Sequence, residues 1–224
     1  MRGMVKVKDR NGSKLSRFNL VIIILLVNII LIMSPPERVL DSVDAQSQPG
    51  EWSARDSHAS VVLPDGSIVL MGGAGDCGGG SITDVGDVWR STDRGATWTQ
   101  MTAEPEWGSR ANATSVAMPD GSIVLMGGIG GGWPGIHNDV WRSTDQGATW
   151  TRMTTAAEWA PRYGATSVVM PNGSIILIGG VVRGDPTSGG GYYLEIADDV
   201  WRSTDQGATW TEVASSIGWK DRSV

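Results

Sequence analysis

Three short runs of this 224-residue chain carry enough side-chain oxygen to suggest chemistry: Ser91–Trp98, Ser143–Trp150 and Ser203–Trp210, each reading S-T-D-[R/Q]-G-A-T-W. Ser, Thr and Asp beside Gly invite a calcium reading. Calcium takes about six to eight oxygen ligands from alternating positions, and these runs offer too few. The residues are therefore expected to serve structure. Ser91, Asp93, Ser143, Asp145, Ser203 and Asp205 bond the backbone of their own hairpins. Gly95, Gly147 and Gly207 take the strained turn position, and Trp98, Trp150 and Trp210 pack between sheets. Arg55, Arg110 and Arg162 could bind a carboxylate, but they hold identical positions in the sequence pattern. A site needs residues converging from different positions, so these too are read as structural. His58 stands where the other copies have Ala113 and Ala165, and is read as a satisfied strand residue.

A different set falls in Gly-rich stretches outside these patterns: Trp133, His137, Asp185, Tyr192, Tyr193 and Glu195, with Asp76 and Asp84 beside them. Aromatic rings with carboxylates on pliable loops suit a saccharide or a protein ligand, and these six are the expected ligand-binding residues. No nucleophile with an adjacent base is recognisable, so no catalytic residue is expected. Nor is a metal or other cofactor. Cys77 is the single cysteine, with no His or second Cys near it in sequence, which also excludes an intrachain disulfide.

The elements that must position these groups come from a repeat. Eleven Trp against one Phe and three Tyr point to one Trp-bearing pattern copied several times. A first block, W-x-x-R then eight residues then P-[D/N]-G-S-I-[V/I]-L-[M/I]-G-G, runs Trp52–Gly73, Trp107–Gly128 and Trp159–Gly180. A second, D-V-W-R-S-T-D-[R/Q]-G-A-T-W-T, runs Asp87–Thr99, Asp139–Thr151 and Asp199–Thr211. Seven residues always separate the second block from the next Trp, whereas 13, 10 and 18 residues join the Gly-Gly to the Asp-Val-Trp. All length tolerance sits in that one connection. The units are about 52–106, 107–158 and 159–218, and a fourth opens at Trp219 and Arg222.

Each unit predicts four short antiparallel strands. In the first, Ala59–Leu63 and Ser67–Met71 flank a Pro-Asp-Gly turn, and Val88–Ser91 and Thr97–Met101 flank the S-T-D-R-G turn. Turns alternate between the two faces of such a sheet. The variable connections 74–86, 129–138 and 181–198 therefore share a face with the seven-residue links, opposite the two kinds of tight turn.

The first block plus Asp-Val-Trp resembles the kelch repeat, and S-T-D-x-G-A-T-W is similar to the Asp-box of sialidase-like proteins. The resemblance covers roughly 52–224, three copies of each motif in fixed register. It implies an all-β fold: a β-propeller-type array of about three four-stranded antiparallel blades, partial or open. It also implies that the Asp-box residues support the fold away from any active site, and that the kelch Arg is structural. Two enzyme classes carry similar repeats. A sialidase-like glycoside hydrolase would need a nucleophile, an acid/base carboxylate and an Arg cluster. A galactose-oxidase-like copper enzyme would need a Tyr–Cys pair and His ligands, and no Tyr or His here stands in such a motif. The favoured expectation is a non-catalytic binding module for glycan or protein.

Charge and targeting are segregated along the chain. Residues 1–45 hold seven basic and four acidic residues, whereas the remainder holds 11 and 20 and is strongly acidic. An acidic body cannot neutralise phosphates, which argues against a nucleic-acid partner. Six Lys and Arg precede the apolar run Leu20–Met33, which is shorter than a fixed membrane span and fits a signal-peptide core. Residues 1–33 are thus either a cleaved signal peptide or an uncleaved signal-anchor contacting the membrane, with a buried helix as the plain alternative. The one-sided basic flank places the body outside the cytoplasm, secreted or anchored. Residues 34–51 read as a linker. Three blades leave apolar lateral faces, from which either a homo-oligomer or an incomplete product is expected.

Overall fold

A computed structural model describes residues 52–76, 82–132, 135–183 and 194–218. The targeting segment and linker lie outside the described residues, as do Cys77, Trp133, Asp185, Tyr192, Tyr193 and Trp219. The described chain is all β. The first sheet comprises β1 (Arg55–Asp56), β2 (Ala59–Val62), β3 (Ile68–Asp76), β4 (Ile82–Ser91) and β5 (Thr99–Thr102). The second comprises β6 (Thr114–Ala117), β7 (Ile123–Met126), β8 (Val140–Ser143) and β9 (Thr151–Thr154). The third comprises β10 (Arg162–Tyr163), β11 (Thr166–Val169), β12 (Ile175–Arg183), β13 (Leu194–Ser203) and β14 (Thr211–Ala214). Pairing is antiparallel throughout, and each sheet carries the four-strand meander of a propeller blade.

The blades stand side by side. β2 lies beside β6 and β6 beside β11, so these first strands line one edge of the array. Apolar side chains fill two seams. In the seam between the first two blades, Val61, Leu63, Val69, Met71 and Val88 meet Trp107, Ile123, Leu125, Trp141 and Trp150. In the next, Val116, Met118, Val124, Met126 and Val140 meet Trp159, Ile175, Leu177 and Trp210. Each blade thus gives a β-branched and Met face to its successor and a Trp-rich face to its predecessor. No blade could bury both faces alone, so neighbouring blades stabilise one another.

The oxygen-rich hairpins are internally satisfied. Ser143 Oγ accepts the Gly147 N–H at 2.8 Å and donates to Asp145 Oδ1 at 2.8 Å. Asp145 accepts both the Thr149 N–H at 2.9 Å and its hydroxyl at 2.6 Å. The other two hairpins repeat the arrangement. Gln146 and Gly147 both have positive φ, the backbone of a type I′ turn. Glycine is required at the second of these for a further reason. A Cβ on Gly147 would stand 2.7 Å from Val88 Cγ1 of the preceding blade, and one on Gly207 2.7 Å from Val140 Cγ1. Trp150 and Trp210 close the hairpins by donating Nε1–H to the Gly147 and Gly207 carbonyls at 3.2 Å.

These hydrogen bonds stabilise the charged carboxylates. The Thr97 hydroxyl and N–H, with Ser91, hold Asp93 down to about 2, below the usual carboxylate range. Partial burial opposes the shift at Asp145 and Asp205, but bonds from Thr149 and Thr209 outweigh it and both are lowered. A depressed folded-state pKa gives stability that is present above the unfolded value of about 3.9 and lost as pH falls through the folded value. The contribution of these three carboxylates to the thermal midpoint is therefore expected to be constant from pH 7 to about 5 and to be lost between about pH 4 and 2. Converting Asp93, Asp145 and Asp205 to Asn should flatten that limb in a pH-resolved melt.

Candidate ligand-binding face

Positions 55, 110 and 162 build the rigid floor beneath the variable connections. Arg110 donates Nη1–H to Asp139 Oδ1 at 2.7 Å and to the Gly127 carbonyl at 3.1 Å, and Nη2–H to the Trp107 carbonyl. Its guanidinium lies 5.7 Å from the Trp107 ring centroid. Arg55 holds Asp87 and the Gly72 carbonyl, and Arg162 holds Asp199 and the Gly179 carbonyl, in the same way. The Asp closes a second bond: Trp89, Trp141 and Trp201 donate Nε1–H to Asp87, Asp139 and Asp199 at 2.6–2.7 Å. With their guanidinium groups buried and paired, these arginines are not free to receive a ligand carboxylate.

The backbone at Arg110 and at Arg162 also ties each blade to the previous one. The Gly73 N–H donates to the Arg110 carbonyl at 2.9 Å, and the Arg110 N–H to the Val85 carbonyl at 3.2 Å. One blade on, the Gly128 N–H donates to Arg162 and the Arg162 N–H to the His137 carbonyl. Gly72 permits the approach, because a Cβ there would sit 2.5 Å from the Arg110 carbonyl oxygen.

On this floor the variable connections are hairpin arms rather than the loops the Gly-Gly implies. In the first blade β3 runs through the glycines to Asp76 and β4 begins at Ile82, with a register shift between Met71 and Gly73. The third blade does the same, β12 reaching Arg183 and β13 starting at Leu194. Glycine there makes a β-bulge that bends the strand without ending it. In the second blade the shortest connection carries, among the described residues, single bridges of Ala111 with Ile129 and Ile129 with Ile136.

The arms and the seven-residue links share a face, as the alternation of turns predicts. Asn138 Nδ2–H donates to the carbonyls of Ala157 and Trp159 at 3.1 and 3.3 Å. Asp198 accepts the Ser216 hydroxyl at 2.5 Å, and its carbonyl accepts the Ile217 N–H. On the other face a cleft of about 220 Å³ lies among Leu63–Asp65, Pro119–Gly121 and Gln146. Arg90 pairs with Asp65 there, and Arg142 with Asp120.

Of the six expected ligand residues, two fall within the described chain. His137 is half-buried at the base of the second connection, with Nε2 3.3 Å from the Gly130 carbonyl. Burial, and then the Arg110 charge, lower its pKa, so the imidazole is neutral at pH 7. Glu195 is exposed on β13, opposite Val182. No hydrogen bond or ion pair joins the two among the described residues. Asp84 is exposed on β4 opposite Ala74, and His58 is exposed beside the Trp52 ring. Trp133, Asp185, Tyr192 and Tyr193 lie outside the described residues.

Sequence reasoning missed three apolar residues on this face. Ile82, Leu194 and Ile196 are 74%, 55% and 86% exposed, large values for apolar side chains on paired strands. The alternation Leu194-Glu195-Ile196 was the available signal, and it was hidden by reading 181–198 as loop. The arms present apolar contacts and carboxylates together, a composition suited to the mixed apolar and hydroxyl surface of a sugar chain. Among the described residues no group of three His, Cys, Asp or Glu is placed to hold a metal ion.

No family model matches the chain. It is 34% identical over 143 residues to a xyloglucanase of Paenibacillus sp., an alignment covering 57% of this chain and 13% of that protein. It is 32% identical over 152 residues to a xyloglucanase of Acetivibrio thermocellus, covering 59% of this chain and 16% of that one. The chain thus spans less than a fifth of the length of the relatives it matches.

Proposed function

We propose that the blades form an extracytoplasmic glycan-binding module, of kelch-like units with Asp-box hairpins, whose ligand is a polysaccharide of the xyloglucan class. The observation that carries this reading is the identity of 34% and 32% to two proteins named xyloglucanase. The arm face supports it, since Ile82, Leu194 and Ile196 are exposed beside Asp84 and Glu195. Binding without hydrolysis is favoured because the most repeated polar residues are committed to one another. Arg55, Arg110 and Arg162 are held by Asp87, Asp139 and Asp199, and the Asp-box carboxylates by their own hairpins.

Affinity electrophoresis in gels containing xyloglucan tests binding, and reducing-end release from the same polymer tests turnover. The expected outcome is retardation without release, weakened several-fold by Ile196→Asp. Equal mobility with and without polysaccharide would remove the glycan reading. Release of reducing ends would favour the second reading, a glycoside hydrolase, which the names of the relatives support. Loss of that release in Glu195→Gln would then place the reacting group on the third arm. The extracytoplasmic location rests on the basic and apolar segment 1–33, and protease accessibility on intact cells checks it.

A further inference from the structure

We infer that one cross-strand row in each blade selects the ligand, and that the third blade's row, Tyr163, Val181 and Ile196, is a platform on which a ring of a neutral polysaccharide stacks. This deepens the glycan reading and rests on it. The row is set by register. In the first blade Asp56 pairs with Ala74, and Ala74 with Asp84. In the second, Ala111 bridges to Ile129, and Ile129 to Ile136. In the third, Tyr163 pairs with Val181, and Val181 with Ile196. Every row draws on the same three places in the repeat: the residue after the Arg, the residue after Gly-Gly, and the third residue before Asp-Val-Trp.

Those places change from unit to unit while their neighbours do not. The Arg, the Gly-Gly and the Asp-Val-Trp are identical in all three units, and the Arg and Asp are the buried pairs of the floor. Between them the row reads Asp-Ala-Asp, then Ala-Ile-Ile, then Tyr-Val-Ile. A position that held the fold together would repeat as its neighbours do. Residues paired across strands project to the same side, so each row is one patch with one character. The first is acidic, the second aliphatic, and the third aromatic and aliphatic.

The rows stand clear of the seams. Asp56 and Asp84 are exposed although a second blade follows them, and Ile196 is 86% exposed although a second blade precedes it. Their exposure thus does not depend on what lies before or beyond the described blades. Tyr163 and Val181 are half-buried, which holds the platform in place. Leu194, on the same side of β13 as Ile196, is 55% exposed and extends it. Among the described residues the Tyr163 hydroxyl has no hydrogen-bond partner. In the middle row Ala111 is buried and Ile129 and Ile136 are half-buried, an apolar stretch between the acidic row and the aromatic one.

A pyranose ring has an apolar C–H face and a rim of hydroxyls. Tyr163 with Ile196 and Leu194 suits the face, while the Tyr163 hydroxyl and the carboxylates of Asp56 and Asp84 suit the rim. Those carboxylates belong to a body that holds 20 acidic and 11 basic residues beyond residue 45. Such a surface repels uronate or sulfate, so the sugar chain it takes is uncharged.

Affinity electrophoresis of the full chain in gels containing xyloglucan or polygalacturonate tests the inference. Xyloglucan should retard the parent, and polygalacturonate should not. Tyr163→Ala should weaken the retardation about tenfold, the effect of truncating an aromatic anchor. Tyr163→Phe should keep most of it, because the ring remains. Asp56→Ala with Asp84→Ala should weaken it several-fold, and Thr144→Ala, exposed on the opposite face, should leave it unchanged. Thermal melts check that each variant folds. Should Tyr163→Ala not fold, Ile196→Ser takes its place, since that side chain is already exposed. A parent that xyloglucan does not retard removes the glycan reading and this inference with it. A retarded parent indifferent to Tyr163→Ala and Ile196→Ser, or retarded equally by polygalacturonate, overturns the row alone. A dimer that Tyr163→Ala converts to a monomer in light scattering would assign the row to a second copy, and overturn it as well.

Discussion

Replacing Trp150 with alanine is expected to destabilise the protein by ~3–5 kcal/mol, the range for removing a large buried aromatic from a packed core. Its ring is 5% exposed and fills the seam between the first two blades. It meets Trp107 edge-on at 5.9 Å and 88°. The same substitution removes the donor that holds the Gly147 carbonyl at 3.2 Å, so hairpin and seam weaken together. Urea melts followed by Trp fluorescence and by circular dichroism check the value. Trp98→Ala is the matched comparison, because that ring has the same hairpin role without a preceding blade among the described residues. Trp98→Ala should cost clearly less, since that ring is partly exposed. Equal losses would mean that the hairpin matters and the seam does not.

The second large effect is expected at Asp139. Arg110 is 2% exposed and Asp139 14%, so removing the carboxylate by Asp139→Leu leaves a buried guanidinium short of its counter-charge. Breaking one side of a buried pair costs about 3–5 kcal/mol. The charged form of Asp139 is favoured in place: burial pushes its pKa up, but Arg110 and Trp141 outweigh it and the net shift is downward. Arg110→Met with Asp139→Leu should be less destabilising than Asp139→Leu alone, because no unpaired charge then remains. A double-mutant cycle by chemical denaturation measures the coupling. A coupling near zero would show that the Gly127 and Trp107 carbonyls suffice for Arg110.

The local elements were legible because they are written in neighbouring residues. The Pro-Asp-Gly and S-T-D-x-G turns, and the strands flanking them, sit close to where spacing and turn chemistry put them. The Ser-to-Gly and Asp-to-Thr bonds of the hairpins span four residues and follow from residue type. The Arg–Asp pairs span 29 to 37 residues, and the sequence marks both partners as repeated without marking them as partners. Gly-Gly was read as the end of a strand, because glycine weakens strands and local rules cannot distinguish a bulge from a stop. That reading hid the arms, and with them Ile82, Leu194 and Ile196. Of the residues expected to bind ligand, only His137 and Glu195 can be compared with their surroundings. His137 is held by backbone at the base of its connection, whereas Glu195 is exposed on an arm.

The backbone joint at each Gly-Gly has a consequence for how such an array changes length over generations. Successive blades are stitched partly by main-chain groups, Gly73 to Arg110 and Gly128 to Arg162, and partly by side chains that recur at every seam. Every joint therefore accepts any unit on either side. When recombination between the stretches that encode these repeats adds or drops a whole unit, each joint cut is replaced by an equivalent joint made, and no compensating substitution is required. The arm travels with its unit. A chain of this design can acquire a new arm and the place to mount it in a single genetic event.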